Sequence, residues 1–354
     1  LMEKEFFEVD PIEWVKFKQL EYERDWLESG GDEDAVDFFH SGQSLNDETD
    51  SELFSPRKAL KFFKLSAELG YAPAMDEYAC LISNDEEDVE RDADKAVEML
   101  NRSIERGYIP SYSSLAGMYE EGKGVEINIQ KAIELYTVCA EANDPVSQFL
   151  LASIYDQQLG KSKDAEYWYL KAMAGSINNA ATALGEMYYN GRGEGTYMPD
   201  SELFEVDYFR AFSCFVQAYK LGDESALKNI ADCYFNGRGV KKDKETAIRM
   251  YIEASENNSL AADVMGQIYL SGDGISQNIK KAIEYWRKGA EQGNSECMRE
   301  LGDFFKWGET NDEDETILKE YIDSEKALYW FQCGAKLGDD YCQGQVDSHE
   351  AGEW

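Results

Sequence analysis

The residues able to do chemistry are few in kind and scattered in place. Two histidines, His40 and His349, lie near opposite ends of the 354-residue chain. Neither belongs to a His, Cys and carboxylate cluster at metal-ligand spacing, and neither pairs with a serine or cysteine nucleophile. Seven cysteines, at 80, 139, 214, 233, 297, 333 and 342, contain no Cys-x-x-Cys pair. Gly122-Lys123-Gly124, Gly237-Arg238-Gly239 and Gly272-Asp273-Gly274 have the composition of phosphate-cradling loops. Such loops follow a strand and open a helix, whereas these follow helical patterns and recur along the chain, so they read as helix terminators. With 71 acidic residues, carboxylate pairs occur everywhere and none stands out as a general acid and base. The expectation is a protein without a catalytic site, cofactor or metal.

The elements that carry these residues are set by a repeat. An alanine that opens a helix recurs as Ala59, Ala96, Ala132, Ala165, Ala211, Ala247, Ala282 and Ala327, at intervals of 37, 36, 33, 46, 36, 35 and 45 residues. Lysine precedes it at Lys58, Lys95, Lys131, Lys281 and Lys326. Four residues later comes a bulky side chain, Phe63, Leu100, Tyr136, Tyr169, Phe215, Tyr251, Trp286 or Phe331. Seven residues later comes a small one, such as Ser66, Cys139 or Gly289. Offsets of four and seven share one helical face, so the small column admits a neighbouring helix and the bulky column fills the space between repeats. A preceding helix has an anchor column at Phe39, Ile82, Tyr119, Tyr155, Tyr188, Tyr234, Tyr269 and Phe305. From the second repeat on, Ala or Gly lies three residues before it. One such helix pair cannot bury its apolar face alone, so neighbouring pairs must stack.

Leu115-Ala116-Gly117-Met118-Tyr119, followed by Gly122-Lys123-Gly124-Val125 and Lys131-Ala132-Ile133, resembles the Sel1-like repeat, a relative of the tetratricopeptide repeat. The stretch from Ile230 to Val240 matches as well. The resemblance covers roughly residues 32–342. Repeat 2 departs from it with Asn84-Asp85-Glu86-Glu87-Asp88 in place of a glycine turn, and repeat 4 with a short Gly160-Lys161-Ser162 turn. It implies an all-α fold, a right-handed α/α superhelix of about eight helix pairs. It also implies a protein–protein interaction scaffold that binds through a concave surface lined by the first helices.

Residues 1–31 are acidic and hold Trp14, Phe17 or Val15, Leu20 and Leu27 on one helical stripe, with Pro11 suited to a first turn. They are expected to form a capping helix over the first repeat. Residues 343–354 lack periodicity and are expected to be a mobile tail. Between them, residues 32–342 are expected to form one elongated solenoid.

Three repeats lengthen the turn between their two helices. From anchor to alanine the distance is 13 residues in repeats 3, 6 and 7, but 20, 23 and 22 in repeats 1, 5 and 8. Asp50-Ser51-Glu52-Leu53-Phe54 and Asp200-Ser201-Glu202-Leu203-Phe204 repeat the same string at the same place in two of these arms. Either each Leu-Phe pair tucks back to lengthen its own second helix, or Glu52, Phe54, Glu202 and Phe204 form acidic arms with apolar tips that grip a partner.

The net charge of −36 repels nucleic-acid phosphates and anionic membranes and attracts a basic protein. A hydrophobic fraction of 43% suffices for a packed core. No apolar run reaches membrane-spanning length. Leu1-Met2-Glu3-Lys4-Glu5 has neither the basic region nor the apolar stretch of a signal peptide. The cysteines read as small buried hydrophobes in a reducing compartment, which places the protein in the cytoplasm. The expected function is a non-enzymatic, monomeric scaffold for a basic protein partner. Its expected surface residues are Glu186, Asp232, Gln267 and Asp303, two positions before the anchors, with Tyr189 and Phe235 just after them. Two related readings are an immunity or inhibitor protein that neutralises a basic toxin or nuclease, and an adaptor or chaperone for complex assembly or secretion.

Overall fold

The computed structural model describes residues 11–46, 55–84, 90–191, 204–308 and 321–354. Among them are eighteen α-helices, and sixteen of these form eight antiparallel-type pairs in chain order. The pairs are α2 (Glu33–Leu45) with α3 (Pro56–Glu68), α4 (Ala72–Ser83) with α5 (Ala93–Glu105), and α6 (Pro110–Glu121) with α7 (Ile129–Glu141). Next come α8 (Pro145–Ser153) with α9 (Ser162–Ala174), then α10 (Asn178–Asn190) with α11 (Tyr208–Lys220). Last come α12 (Ala226–Asn236) with α13 (Lys244–Ala254), α14 (Ser259–Ser271) with α15 (Ile279–Glu291), and α16 (Ser295–Trp307) with α17 (Ser324–Lys336). Two helices stand outside the pairs, α1 (Pro11–Glu28) and α18 (Asp340–Glu350). The chain divides into two compact units, and the division falls inside α10 between Leu184 and Gly185.

Six of the eight second helices start at a side chain that caps them. Asp92, Asn128, Asp207, Asp243, Asn278 and Asp323 accept hydrogen bonds from the backbone N–H three residues on. All stand four residues before the helix-opening alanine. Their own backbone N–H donates to the anchor carbonyl of the first helix, as Asn128 to Tyr119 at 2.8 Å and Asp243 to Tyr234 at 2.9 Å. Asp207 to Tyr188 and Asp323 to Phe305 do the same at 2.8 Å in the two later repeats with long arms. The same hydrogen bond therefore closes pairs with short turns and the long-armed repeats 5 and 8 alike, whereas in repeat 1 the Ser55 N–H donates to the Leu45 carbonyl. In repeat 5 it starts α11 in the same phase as the other second helices, so the insertion holding Phe204 does not lengthen that helix.

The small and bulky columns meet as the spacing requires. In the second unit, an added Cβ on Gly185 would lie 2.6 Å from the Phe215 ring, on Gly266 2.3 Å from the Trp286 ring, and on Gly302 2.5 Å from the Phe331 ring. Rings from second helices lie directly on first-helix backbone. In the first unit, the Ser66 hydroxyl donates to the Ala35 carbonyl at 2.6 Å and Ser103 to Ala72 at 2.8 Å, which fixes the spacing of neighbouring helices. All seven cysteines are free thiols, five of them buried. The residue that turns the chain out of repeat 4 is Ser176, at φ +63°, and not Gly175, which lies against Pro145.

Two terminal expectations are corrected. α1 does form, but of the expected stripe it buries only Trp14: Phe17 is 59%, Leu20 60% and Leu27 40% exposed. Its buried face is Trp14 and Gln19, with Tyr22 and Trp26 half-buried beside them. Nor does α1 cover the first repeat alone. Tyr22 meets the rings of Tyr71 and Tyr108 edge-on at 5.8 and 5.6 Å, and the Trp14 Nε1–H donates to the Ala142 carbonyl at 3.0 Å. The helix is thus a strap across the turns that lead into α4, α6 and α8. Those turns explain the choice of face. An Asp or Asn side chain caps α2, α8, α14 and α16, at Asp32, Asp144, Asn258 and Asn294. At the other two turns under the strap there is no side-chain cap: Tyr71 precedes α4 and Tyr108-Ile109 precedes α6, with Pro73 and Pro110 in the first helical turn. At the other end, residues 340–350 form α18 where a mobile tail was expected. Cys342 and Val346 bury, and the Trp354 indole folds back to donate to the Gln345 carbonyl at 3.1 Å.

Candidate protein-binding surface

Six of the expected surface residues lie in the second unit, on α10, α12, α14 and α16, and the helix period places them on related faces. Glu186 and Gln267 are exposed, and Tyr189, Asp232, Phe235 and Asp303 are half-buried. Glu52, Phe54 and Glu202 lie outside the described residues, and Phe204 is half-buried.

The carboxylates of this face are bound by the chain itself. Asp232 receives the Lys228 ammonium at 2.9 Å and the Tyr251 hydroxyl at 2.5 Å. Asp303 receives the Tyr341 hydroxyl at 2.8 Å. Gln267 donates to Asp263 at 3.0 Å. Burial pushes the Asp263 and Asp303 carboxyls above the usual carboxylate range, because desolvation outweighs the hydrogen bonds and nearby cations that favour the charged form. Asp232 and Asp303 are therefore structural as well as acidic, and Glu186 and Gln267 are the exposed positions of the six.

The aromatics are likewise covered by cations from the same chain. The Arg238 guanidinium lies 5.0 Å from the Tyr189 ring centre and 5.1 Å from that of Tyr208, and donates to the Tyr189 hydroxyl at 2.8 Å. Lys244 sits 4.8 Å from the Phe235 ring. In three repeats the cation before the helix-opening alanine covers the anchor ring of its own repeat: Arg210 over Tyr188 at 5.4 Å, Lys281 over Tyr269 at 5.0 Å and Lys326 over Phe305 at 5.5 Å. Two lysines of the column, Lys281 and Lys326, thus have a cation–π role, whereas Lys95 and Lys131 pair with Glu98 and Glu134 on their own helices. Spacing alone exposed the column but not its target, because the anchor ring is 12 to 22 residues away in sequence.

The glycine turns do more than end helices. Their middle residue reaches back to the preceding repeat: Lys123 donates to Asn84 at 3.1 Å, Arg238 to Tyr189, and Lys244 of the preceding repeat pairs with Asp273. The second glycine permits the approach. A Cβ at Gly124 would lie 2.5 Å from the Ala93 carbonyl oxygen, and one at Gly239 1.9 Å from that of Tyr208.

Among the described residues, no group of three or more His, Cys, Asp or Glu is arranged to hold a metal ion, and no helix is long and apolar enough to cross a membrane.

The Sel1 repeat family model matches residues 55–71, 72–108, 110–144, 145–174, 178–223, 225–259, 259–294 and 295–339, which follow the helix pairs. The uncharacterised protein NMB1327 of Neisseria meningitidis serogroup B is 26% identical over 200 residues, covering 49% of this chain. This chain spans less than half of that relative, 42% of its length. Among solved structures, a Sel1 repeat protein from Oxalobacter formigenes aligns with a TM-score of 0.62 and 22% identity, over 98% of this chain and 96% of its own. The protective antigen c5321 of uropathogenic Escherichia coli, described as displaying an SLR fold, aligns with a TM-score of 0.63 and 23% identity, over 93% of this chain and 66% of its own. At these identities the structures speak to the fold, an all-α repeat of stacked helix pairs.

Proposed function

Because the chain belongs to the Sel1 repeat family, we propose that it is a non-enzymatic scaffold that binds a basic protein along the first-helix face of its second unit. The observation that carries this reading is the charge of −36, which steers a cationic partner toward the surface and rejects anionic ones. Glu186 and Gln267 supply exposed polar contacts on that face, and the half-buried rings of Tyr189 and Phe235 supply contact area. Asp232 and Asp303 add negative potential from fixed positions.

Affinity capture from the native lysate, washed at low and then high salt, tests this. One basic protein held at equal stoichiometry and shed by salt is the expected result, and Glu186→Lys should weaken its capture. If that protein is a toxin or nuclease silenced on mixing, the scaffold acts as an inhibitor. A salt-resistant set of unrelated proteins would overturn the basic-partner reading in favour of a general adaptor.

A further inference from the structure

Helix α3 stands apart in charge from the second helices that follow it. Arg57, Lys58, Lys61 and Lys64 are all exposed. They lie within about two turns, and the helix holds no acid before Glu68. The helical period puts them on the side away from Ala59, Phe63 and Ser66, which are buried. Leu65, 44% exposed, lies among them, one turn on from Lys61. In α5 and α7 the lysine before the helix-opening alanine pairs with a glutamate three residues on, Lys95 with Glu98 at 2.7 Å and Lys131 with Glu134 at 3.2 Å. In α3 that glutamate is replaced by Lys61, so Lys58 faces a like charge. Among the described residues, none of the four cations has an ion-pair, hydrogen-bond or ring partner. The arrangement does nothing for the helix itself. Ser55 makes no side-chain cap bond, unlike Asp92 of α5 and Asn128 of α7. Arg57 and Lys58 stand in the first turn, at the positive end of the helix dipole, where acids stabilise and cations do the reverse. Arg57 and Lys61, at i and i+4, repel each other as well. Charges held against local preference are the mark of a surface kept for a partner.

We propose that the outer face of α3 docks a short acidic segment of a partner protein that also carries an apolar side chain. The segment's carboxylates meet Arg57, Lys58, Lys61 and Lys64, and its apolar side chain covers Leu65 between the lysine stems. From residue 57 to residue 64 the face runs for about 10 Å along the helix axis. Beyond it the charge reverses: α5 carries Asp94 and Glu98 at the positions that match Arg57 and Lys61. At physiological salt, exposed charges more than about 8 Å apart are largely screened. The four cations therefore govern a segment of this length, and the net charge of −36 does not. A nucleic acid, with a charge about every 1.7 Å of duplex, would run from the face onto the carboxylates of α5. The face lies in the first unit, so it stands apart from the basic-partner reading, which rests on the second.

Fluorescence anisotropy of the full chain with a labelled probe peptide, Asp and Glu residues around one central leucine, at physiological salt tests the docking. Saturable binding is expected. Lys61→Glu with Lys64→Glu should weaken it by about tenfold, since each reversal turns a surface attraction into a repulsion. Lys220→Glu with Lys336→Glu makes the same change in net charge at exposed lysines that end α11 and α17. It should leave binding within about twofold of the parent chain. Arg57→Glu with Lys58→Glu should also lose binding, yet its urea midpoint should not fall, because it takes cations out of the first turn. That combination separates docking from folding. No saturable binding by the parent chain, an equal loss in the Lys220→Glu, Lys336→Glu variant, or an oligothymidylate of equal charge held as tightly would overturn the proposal. Binding that appears only after Asp47, Glu48, Asp50 and Glu52 are changed to their amides would assign the face to the chain's own arm and would overturn it too.

Discussion

The Trp14 indole N–H donates to the Ala142 carbonyl at 3.0 Å, across 128 residues of sequence. This bond spans three repeats and ties the first helix to the turn into α8. Trp14 is 4% exposed, so Trp14→Ala removes a buried ring and a hydrogen bond together. A buried aromatic lost to alanine costs about 3–5 kcal/mol, but here the loss is capped at the docking free energy of α1, because the strap can detach while the repeats stay folded. The expected outcome is α1 amides exchanging near their intrinsic rate with α15 still protected. Trp14→Phe keeps most of the ring, loses the bond, and should cost about 1 kcal/mol.

Gly239→Ala should destabilise the second unit beyond the usual left-handed penalty of about 1–2 kcal/mol. Gly239 has φ +72°, and its new Cβ would lie 1.9 Å from the Tyr208 carbonyl oxygen, a backbone atom that cannot rotate away. Gly124→Ala should do the same in the first unit, where the obstacle is the Ala93 carbonyl. Urea midpoints of the two variants against the parent chain measure both.

Asn278→Ala removes a side-chain cap from α15 but leaves the backbone bond from residue 278 to the Tyr269 carbonyl. The expected loss is about 1 kcal/mol. A larger loss in thermal or urea unfolding would mean that the side chain also positions the turn.

Stability should rise as the pH falls from 8 toward 5. Asp144, Asp263 and Asp303 are raised by burial first, as are Asp76 and Glu77. For each, the folded chain binds more protons than the unfolded one, so their contribution is present below the unfolded value and lost as pH rises. Asp243 and Asp323 work in the opposite direction: hydrogen bonds from Thr246 and Lys326 lower them, and their contribution disappears only as the pH falls below about 4. The two windows leave a maximum at mildly acidic pH. Urea midpoints at unit pH intervals should show it, and Asp76→Asn together with Glu77→Gln should flatten the alkaline side.

The sequence by itself determined the repeat. Columns of small and bulky residues at offsets of four and seven require helix pairs that stack, because burial at that period has no other solution. It also marked each second helix through its opening alanine and gave the charge that shapes the proposed partner. Tertiary structure alone decided which surfaces those helices leave open. The stripe of Phe17, Leu20 and Leu27 is the more apolar face of α1, yet it faces solvent, because Tyr71 and Tyr108 offer aromatic sockets that Trp26 and Tyr22 fill. Asp232 and Asp303 look like free acids on a ridge, and they are held by Tyr251 and Tyr341 from other helices. Contacts of this kind join residues tens of positions apart, and no local period encodes them; their geometry exists only after the repeats have stacked.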